Sequence, residues 1–266
     1  MNFTRRDTLI LAAAASALSL CGVVTAQAAE GDVVDVAKLM APAGDIPDKV
    51  QGNPDAPVTV IEYASPTCPH CAQFHNEVYE PFKAAYVDTG KVKFILRPFV
   101  RNVLDAAIFM LAEAAGPEQY NNVLATYFRT QNNWGTSATP RDAILDIAKQ
   151  LGFTQESFDT ALTNQALFTG MEAQRDQALD EFGMTGTPTF YVNGKTLSGA
   201  KTLEQLAAEI DPLVPADFVA PAAPTEQPAA GAMAPATDTM APANTMAPAN
   251  TMAPATDSMA PAPAQQ

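Results

Sequence analysis

The stretch Val58-Thr-Val-Ile-Glu-Tyr-Ala-Ser-Pro-Thr-Cys68-Pro-His-Cys71 carries the information that decides the fold. Val58 to Tyr63 is a β-branched and aromatic run bounded by Pro57 and by Ser65-Pro66, which reads as a buried strand followed by a turn. From Pro69 to about Tyr86, Phe74, Val78, Phe82 and Tyr86 recur every four residues, the spacing of a helix face, and Pro69 suits the first helical position. Pro81 should bend or split that helix. Cys68 therefore falls at a strand-to-helix junction, with Cys71 one turn inside the helix.

A second strand is expected over Val92 to Val100, after the turn at Thr89-Gly90. Helical text follows over Asn102 to Ala115, Pro117 to Thr130, Pro140 to Leu151, Gln155 to Thr163 and Ala166 to Phe182, broken at Gly116-Pro117, Gly135 and Gly152-Phe153. Strand text returns at Thr189 to Val192, turns at Asn193-Gly194 and continues from Lys195 to Leu197, the pattern of a hairpin. A last helix is expected from Thr202 to about Leu213. The order strand, helix, strand, long helical block, hairpin, helix gives an α/β fold with a helical insertion at about residues 102–182.

The two ends read differently. Residues 1–28 have the form of a secretory signal peptide: Arg5-Arg6 near the start, an uncharged stretch from Thr8 to Gln27, and Ala26-Gln27-Ala28 as a small-x-small cleavage site. The motif suits export by a Sec or a twin-arginine route, and Cys21 after Leu18-Ser19-Leu20 is a poor lipidation site because Leu20 is not small. Residues 29–55 read as an irregular leader with Pro42, Pro47 and Pro54. From about 219 to 266 the chain is an Ala/Pro/Met-rich tail repeating Met-Ala-Pro-Ala at Met233, Met240, Met246, Met252 and Met259, and is expected to be disordered. Five spaced thioethers could also serve as soft Cu(I) ligands or oxidant traps.

The 266 residues carry 15 Lys and Arg against 29 Asp and Glu, a net charge of −14, which argues against a nucleic-acid partner. With three cysteines in all, removal of the signal leaves Cys68 and Cys71 alone. A two-residue gap closes too small a loop to staple a fold, so the pair is read as reactive. At the helix N-terminus, free backbone N–H groups and the helix dipole stabilise a thiolate at Cys68, and His70, if protonated, would add to this. A stabilised thiolate favours the reduced form and makes the disulfide more oxidising. Cys71 is then the resolving thiol.

The competing metal site would be built from Cys68, Cys71, His70 and His75, but His70 would splay away from a chelate and no further Cys or His completes the set, so no metal or cofactor is expected. His75 reads as a partly exposed helix residue. Glu62 has two readings: a half-buried carboxylate that exchanges protons beside the dithiol, or a solvent-facing strand position. Thr187-Pro188 leads into the hairpin, and its peptide bond is a candidate cis bond.

Taken together, Cys68-Pro-His-Cys71 after its strand, the helical insertion, and Gly186-Thr-Pro-Thr-Phe-Tyr-Val-Asn-Gly194 resemble the DsbA branch of the thioredoxin superfamily, in particular its alphaproteobacterial members. The resemblance covers about Val58 to Leu213. It implies a thioredoxin-like domain over residues 56–218 and a periplasmic thiol:disulfide oxidoreductase that donates its disulfide to reduced exported proteins. Cys68 would be the nucleophile within Cys68-Pro69-His70-Cys71, Pro188 would be cis beside it, Thr187 would offer a backbone contact to substrate, and Glu62 would be the buried acid near Cys71. A DsbB-like membrane protein would reoxidise the pair. Thr187 stands where the best-known member has Val, and a Thr there also occurs in isomerase and reductase relatives. The short leader leaves little room for an isomerase's dimerisation domain, so a monomeric oxidase is the expectation. The alternatives are an isomerase or reductase of the same fold, or a copper- or oxidant-handling envelope protein that uses its Met-rich tail.

Overall fold

The computed structural model describes residues 30–220, so the signal, the Cys21 site and nearly all of the repeat tail lie outside the described residues. The first elements belong to the leader: α1 (Val36–Leu39), a 3-10 turn (Ala43–Asp45) and β1 (Val50–Gln51). The leader is thus less irregular than its prolines suggest. β1 pairs antiparallel with a later strand, and the buried Leu39 and Ile46 pin the segment to the domain.

The sheet centres on β2 (Val58–Ala64). This strand is followed by α2 (Pro69–Glu77), α3 (Tyr79–Phe82), a π turn (Lys83–Val87) and β3 (Val92–Pro98), which returns parallel to β2. The expected split of the first helix occurs at Val78, three residues before Pro81. Pro81 has no N–H to offer the carbonyl of Glu77 four residues back, and its ring crowds that carbonyl, so the break falls upstream of the proline.

Five helices and a short one make the insertion: α4 (Val103–Ala114), α5 (Pro117–Arg129), α6 (Gln131–Gly135), α7 (Pro140–Gln150), α8 (Gln155–Ala161) and α9 (Gln165–Asp180). Their starts follow local rules. Asn102 caps α4 through its side chain, Pro opens α5 and α7 at the first helical position, and Thr154 with Ser157 forms a capping box on α8. The hairpin β4 (Thr189–Val192) and β5 (Lys195–Ser198) turns at Asn193 (φ 45°) and Gly194 (φ 90°), as the Asn-Gly pair predicts. The last helix, α10 (Leu203–Ile210), runs into a 3-10 turn at Asp211–Leu213.

The five strands lie in the order β1-β3-β2-β4-β5, with β2 and β3 parallel and the other neighbours antiparallel. β2 is covered on both faces. Val58, Val60 and Ala64 point into the larger core with Phe74, Phe94, Phe128 and Phe190, whereas Ile61 and Tyr63 point into a second core with Leu39, Ile95, Phe182 and Tyr191. By strand alternation Glu62 faces the first of these, beneath α2. It is fully buried, which removes the solvent-facing reading.

Candidate active site

Cys68 is the N-cap residue of α2, with extended backbone angles (φ −84°, ψ 120°), and Pro69 takes the first helical position without costing an intrahelical hydrogen bond. The backbone N–H of Cys68 donates to the carbonyl of Ser65 at 3.0 Å. Both Cys68 and Cys71 are free thiols and both are buried. The Sγ of Cys68 donates to the carbonyl oxygen of Thr187 at 3.2 Å, and the Thr187-Pro188 peptide bond is cis. The segment ahead of β4 therefore lies directly against the sulfur, as expected for these two residues.

The two thiols are driven apart in acidity. Cys68 is held down to about 5, chiefly by the Cys71 thiol donating to its sulfur, with help from the Thr187 side chain and the backbone N–H groups of Cys71 and His70 outweighing the opposing effect of burial. Cys71 is pushed well above the ordinary thiol range, first by burial, then by its hydrogen bond to Cys68 and by the negative charge of Glu62. One thiol is prepared to be a thiolate at neutral pH and its neighbour is prepared to keep its proton. His70 acts here through its main-chain N–H; its side chain is exposed.

His75 is a helix residue of intermediate exposure, as expected, but its imidazole is turned away from solvent. Its ring turns inward, with the side chain only 7% exposed, stacks on Phe128 (4.2 Å, 4° between planes) and places Nε2 2.9 Å from a Glu62 carboxylate oxygen. The residues of the rejected metal site therefore do not converge, because His75 pairs with Glu62 while His70 faces outward.

Sequence reasoning missed the frame that holds the loop before Cys68. Asp105 on α4 is fully buried, and its Oδ1 accepts from the Thr67 backbone N–H at 2.7 Å and from the Ser65 hydroxyl at 2.8 Å, while Oδ2 accepts from the Arg101 N–H at 2.9 Å. Arg101 donates to Ser65 Oγ and Thr67 Oγ1, both at 2.9 Å. Gln131, opening α6, donates to the carbonyls of Pro66 (2.6 Å) and Cys68 (2.9 Å). The only local signal was Asn102 with Asp105 three residues on, which reads as an ordinary helix start. Nothing in the sequence ties Asp105 to Thr67, 38 residues away.

A cysteine pair at a strand-to-helix junction, facing a cis-proline segment across a few ångströms, is the site of a thioredoxin-type dithiol protein. Comparison with known proteins agrees. The family model described as Thioredoxin matches residues 45–212. A Rickettsia bellii protein that is by name a protein-disulfide oxidoreductase is 30% identical over 62% of this chain and 63% of its own length. The crystal structure of Wolbachia pipientis alpha-DsbA1 is 28% identical, superposes with a TM-score of 0.59 and is matched over 63% of this chain and 90% of that one. A structure from Novosphingobium aromaticivorans, titled a protein-disulfide isomerase, is 25% identical with a TM-score of 0.56, over 65% of this chain and 98% of that one. The chain belongs to the thioredoxin family, in its DsbA-like branch. The match spans less than two thirds of the curated relatives' own length, 63% and 59% for the Rickettsia bellii and Rickettsia felis proteins. Among the described residues no helix is long and apolar enough to cross a membrane.

Proposed function

We propose that this protein is a dithiol oxidase that donates a Cys68–Cys71 disulfide to reduced exported proteins. One observation carries the reading: the Cys68 thiolate is stabilised at the N-terminus of α2 while the adjacent Cys71 is held protonated. Stabilising the reduced form in this way makes the disulfide a strong oxidant.

The reaction proceeds by thiol–disulfide exchange. A substrate thiolate attacks Sγ of Cys68, the Cys68–Cys71 bond breaks and Cys71 leaves with the electron pair and takes a proton. A second substrate thiolate then attacks the substrate sulfur of the mixed disulfide, expelling Cys68 as a thiolate that the site already favours. The Thr187 carbonyl, 3.2 Å from Sγ of Cys68, is suited to accept a backbone N–H of the substrate when the Cys68 S–H is consumed. Pro69 and His70 shape the loop between the two thiols, and Pro188 walls the sulfur. In this reading the protein acts as a monomer in the periplasm after export by its N-terminal signal, and a DsbB-like membrane protein returns it to the oxidised state.

A second reading is favoured by the Novosphingobium structure's title and by Thr187: the same site could rearrange disulfides. Refolding of a reduced multi-cysteine substrate with stoichiometric oxidised protein tests the first. Native disulfides should appear, with Cys68→Ser inert. No gain in disulfides would end the oxidase reading, and reactivation of a scrambled substrate alone would establish the second.

A further inference from the structure

Where β2 ends, one backbone donor is left over. Pairing with β4 stops at Tyr63 opposite Thr189, and on the β3 side the carbonyl of Ala64 accepts the Phe99 N–H at 2.9 Å. Successive strand residues turn their backbone polar groups to opposite edges, so the Ser65 N–H faces the side where the ladder has stopped. It donates instead to Sγ of Cys71, 3.5 Å away in the buried interior. Among the described residues it is the one backbone N–H bonded to that sulfur.

The other polar atoms of Ser65 are held as well. Its carbonyl accepts the Cys68 N–H at 3.0 Å, its hydroxyl donates to Oδ1 of Asp105 at 2.8 Å, and the hydroxyl oxygen accepts from Nε of Arg101 at 2.9 Å. The same Asp105 oxygen takes the Thr67 N–H, so one fully buried carboxyl group on α4 grips the chain on both sides of Pro66. A donor fixed in this way does not have to reorganise when charge develops on its acceptor.

We infer that the Ser65 N–H is a catalytic donor to the leaving sulfur, and that Asp105 is the positioning residue that aims it. This rests on the oxidoreductase reading, to whose first step it adds a group. When the substrate thiolate bonds to Sγ of Cys68, the Cys68–Cys71 bond breaks with its electron pair on Sγ of Cys71. Negative charge therefore builds on a sulfur that is wholly out of water. Hydrogen bonds to a charged acceptor are stronger than those to a neutral one, so the Ser65 N–H stabilises this transition state more than the disulfide before it or the thiol after it. The thiolate then takes a proton from solvent. In the reverse direction the same donor serves Cys71 as it attacks a mixed disulfide at Cys68.

The test uses the oxidised full chain and glutathione, a monothiol, with samples quenched in acid and the mixed disulfide measured by mass. Against glutathione thiolate concentration, the relaxation rate gives disulfide opening as its slope and reclosure as its intercept. Replacing the Ala64–Ser65 peptide bond by an ester removes this N–H with every side chain intact, and should lower slope and intercept by one common factor of at least about ten. Ser65→Ala and Asp105→Asn keep the N–H but loosen it, and should lower both about threefold. In each case the ratio of the two should hold and Cys68 should still titrate near 5, whereas a merely structural role would move that ratio or that titration. If the ester chain does not fold, the two side-chain variants carry the same test. Unchanged rates, or a fall in one direction alone, would overturn the inference while leaving the oxidoreductase reading intact. A wild-type protein that forms no reducible Cys68–Cys71 disulfide would overturn both.

Discussion

The carboxylate of Asp105 accepts the backbone N–H of Thr67 at 2.7 Å, so the helical insertion holds the loop that presents Cys68. The same oxygen takes the Ser65 hydroxyl, and the other takes the Arg101 N–H. Asp105→Ala would leave the Thr67 N–H and its neighbours short of an acceptor. A loss of about 3 kcal/mol is expected, measured as a drop in urea midpoint with unchanged slope. Asp105→Asn should lose less, because one acceptor oxygen survives.

The acidity of Cys68 has a defined pH signature. Its folded-state value of about 5 lies below the value of 9.0 for an ordinary thiol. The thiolate therefore stabilises the reduced protein fully above pH 9, progressively less between 9 and 5, and not at all once the pH has fallen through about 5. Urea unfolding of reduced and oxidised protein against pH should show this slope in the reduced form alone. Thiolate absorbance should titrate near pH 5, and should move upward in Cys71→Ala, because the Cys71 thiol is the largest stabilising partner.

Arg97 is buried, and its Nε and Nη2 both donate to Asp48 of the leader, at 2.7 and 2.6 Å, while Nη1 donates to the Tyr63 hydroxyl at 3.0 Å. Asp48→Ala would strand the guanidinium inside the protein. The expected cost is about 3–5 kcal/mol in urea unfolding, with the larger share recovered by the double variant Asp48→Ala with Arg97→Met.

Gly44 is a further packing test. It has φ +86°, and a Cβ built there would stand 2.1 Å from the carbonyl oxygen of Gly170 on α9. Gly44→Ala should therefore cost about 2–4 kcal/mol, from backbone strain together with displacement of the leader from α9. Gly186→Ala, where nothing lies within 4 Å and φ is ordinary, should leave the unfolding midpoint nearly unchanged.

Much of this architecture was legible because local rules and tertiary packing agree. The run Val58–Tyr63, the Asn193-Gly194 turn and the prolines that open α2, α5 and α7 each state their own structure, and Cys68-Pro69-His70-Cys71 states its chemistry by position. What could not be read was set by contacts distant in the chain. Glu62 is buried because α2 covers that face of β2, which alternation within a single strand cannot reveal. His75 reads as a partly exposed helix residue, and its stacking on Phe128 and pairing with Glu62 are contacts no local pattern announces. Pro47 and Pro54 obscured β1, whose two residues are held by pairing with β3 and have little strand signal of their own. Asp105 and Gln131 reach back across 38 and 63 residues to carry the active-site loop.

The most direct test of the central claim, that this site favours the Cys68 thiolate strongly enough to make its disulfide an oxidant, is the reduction potential of the Cys68–Cys71 pair in a glutathione buffer series. A value towards the oxidising end of the superfamily, where DsbA stands at about −120 mV, is the expected result. A value near thioredoxin's, about −270 mV, would mean that the thiolate is not stabilised as described and that the protein gives electrons to its substrates.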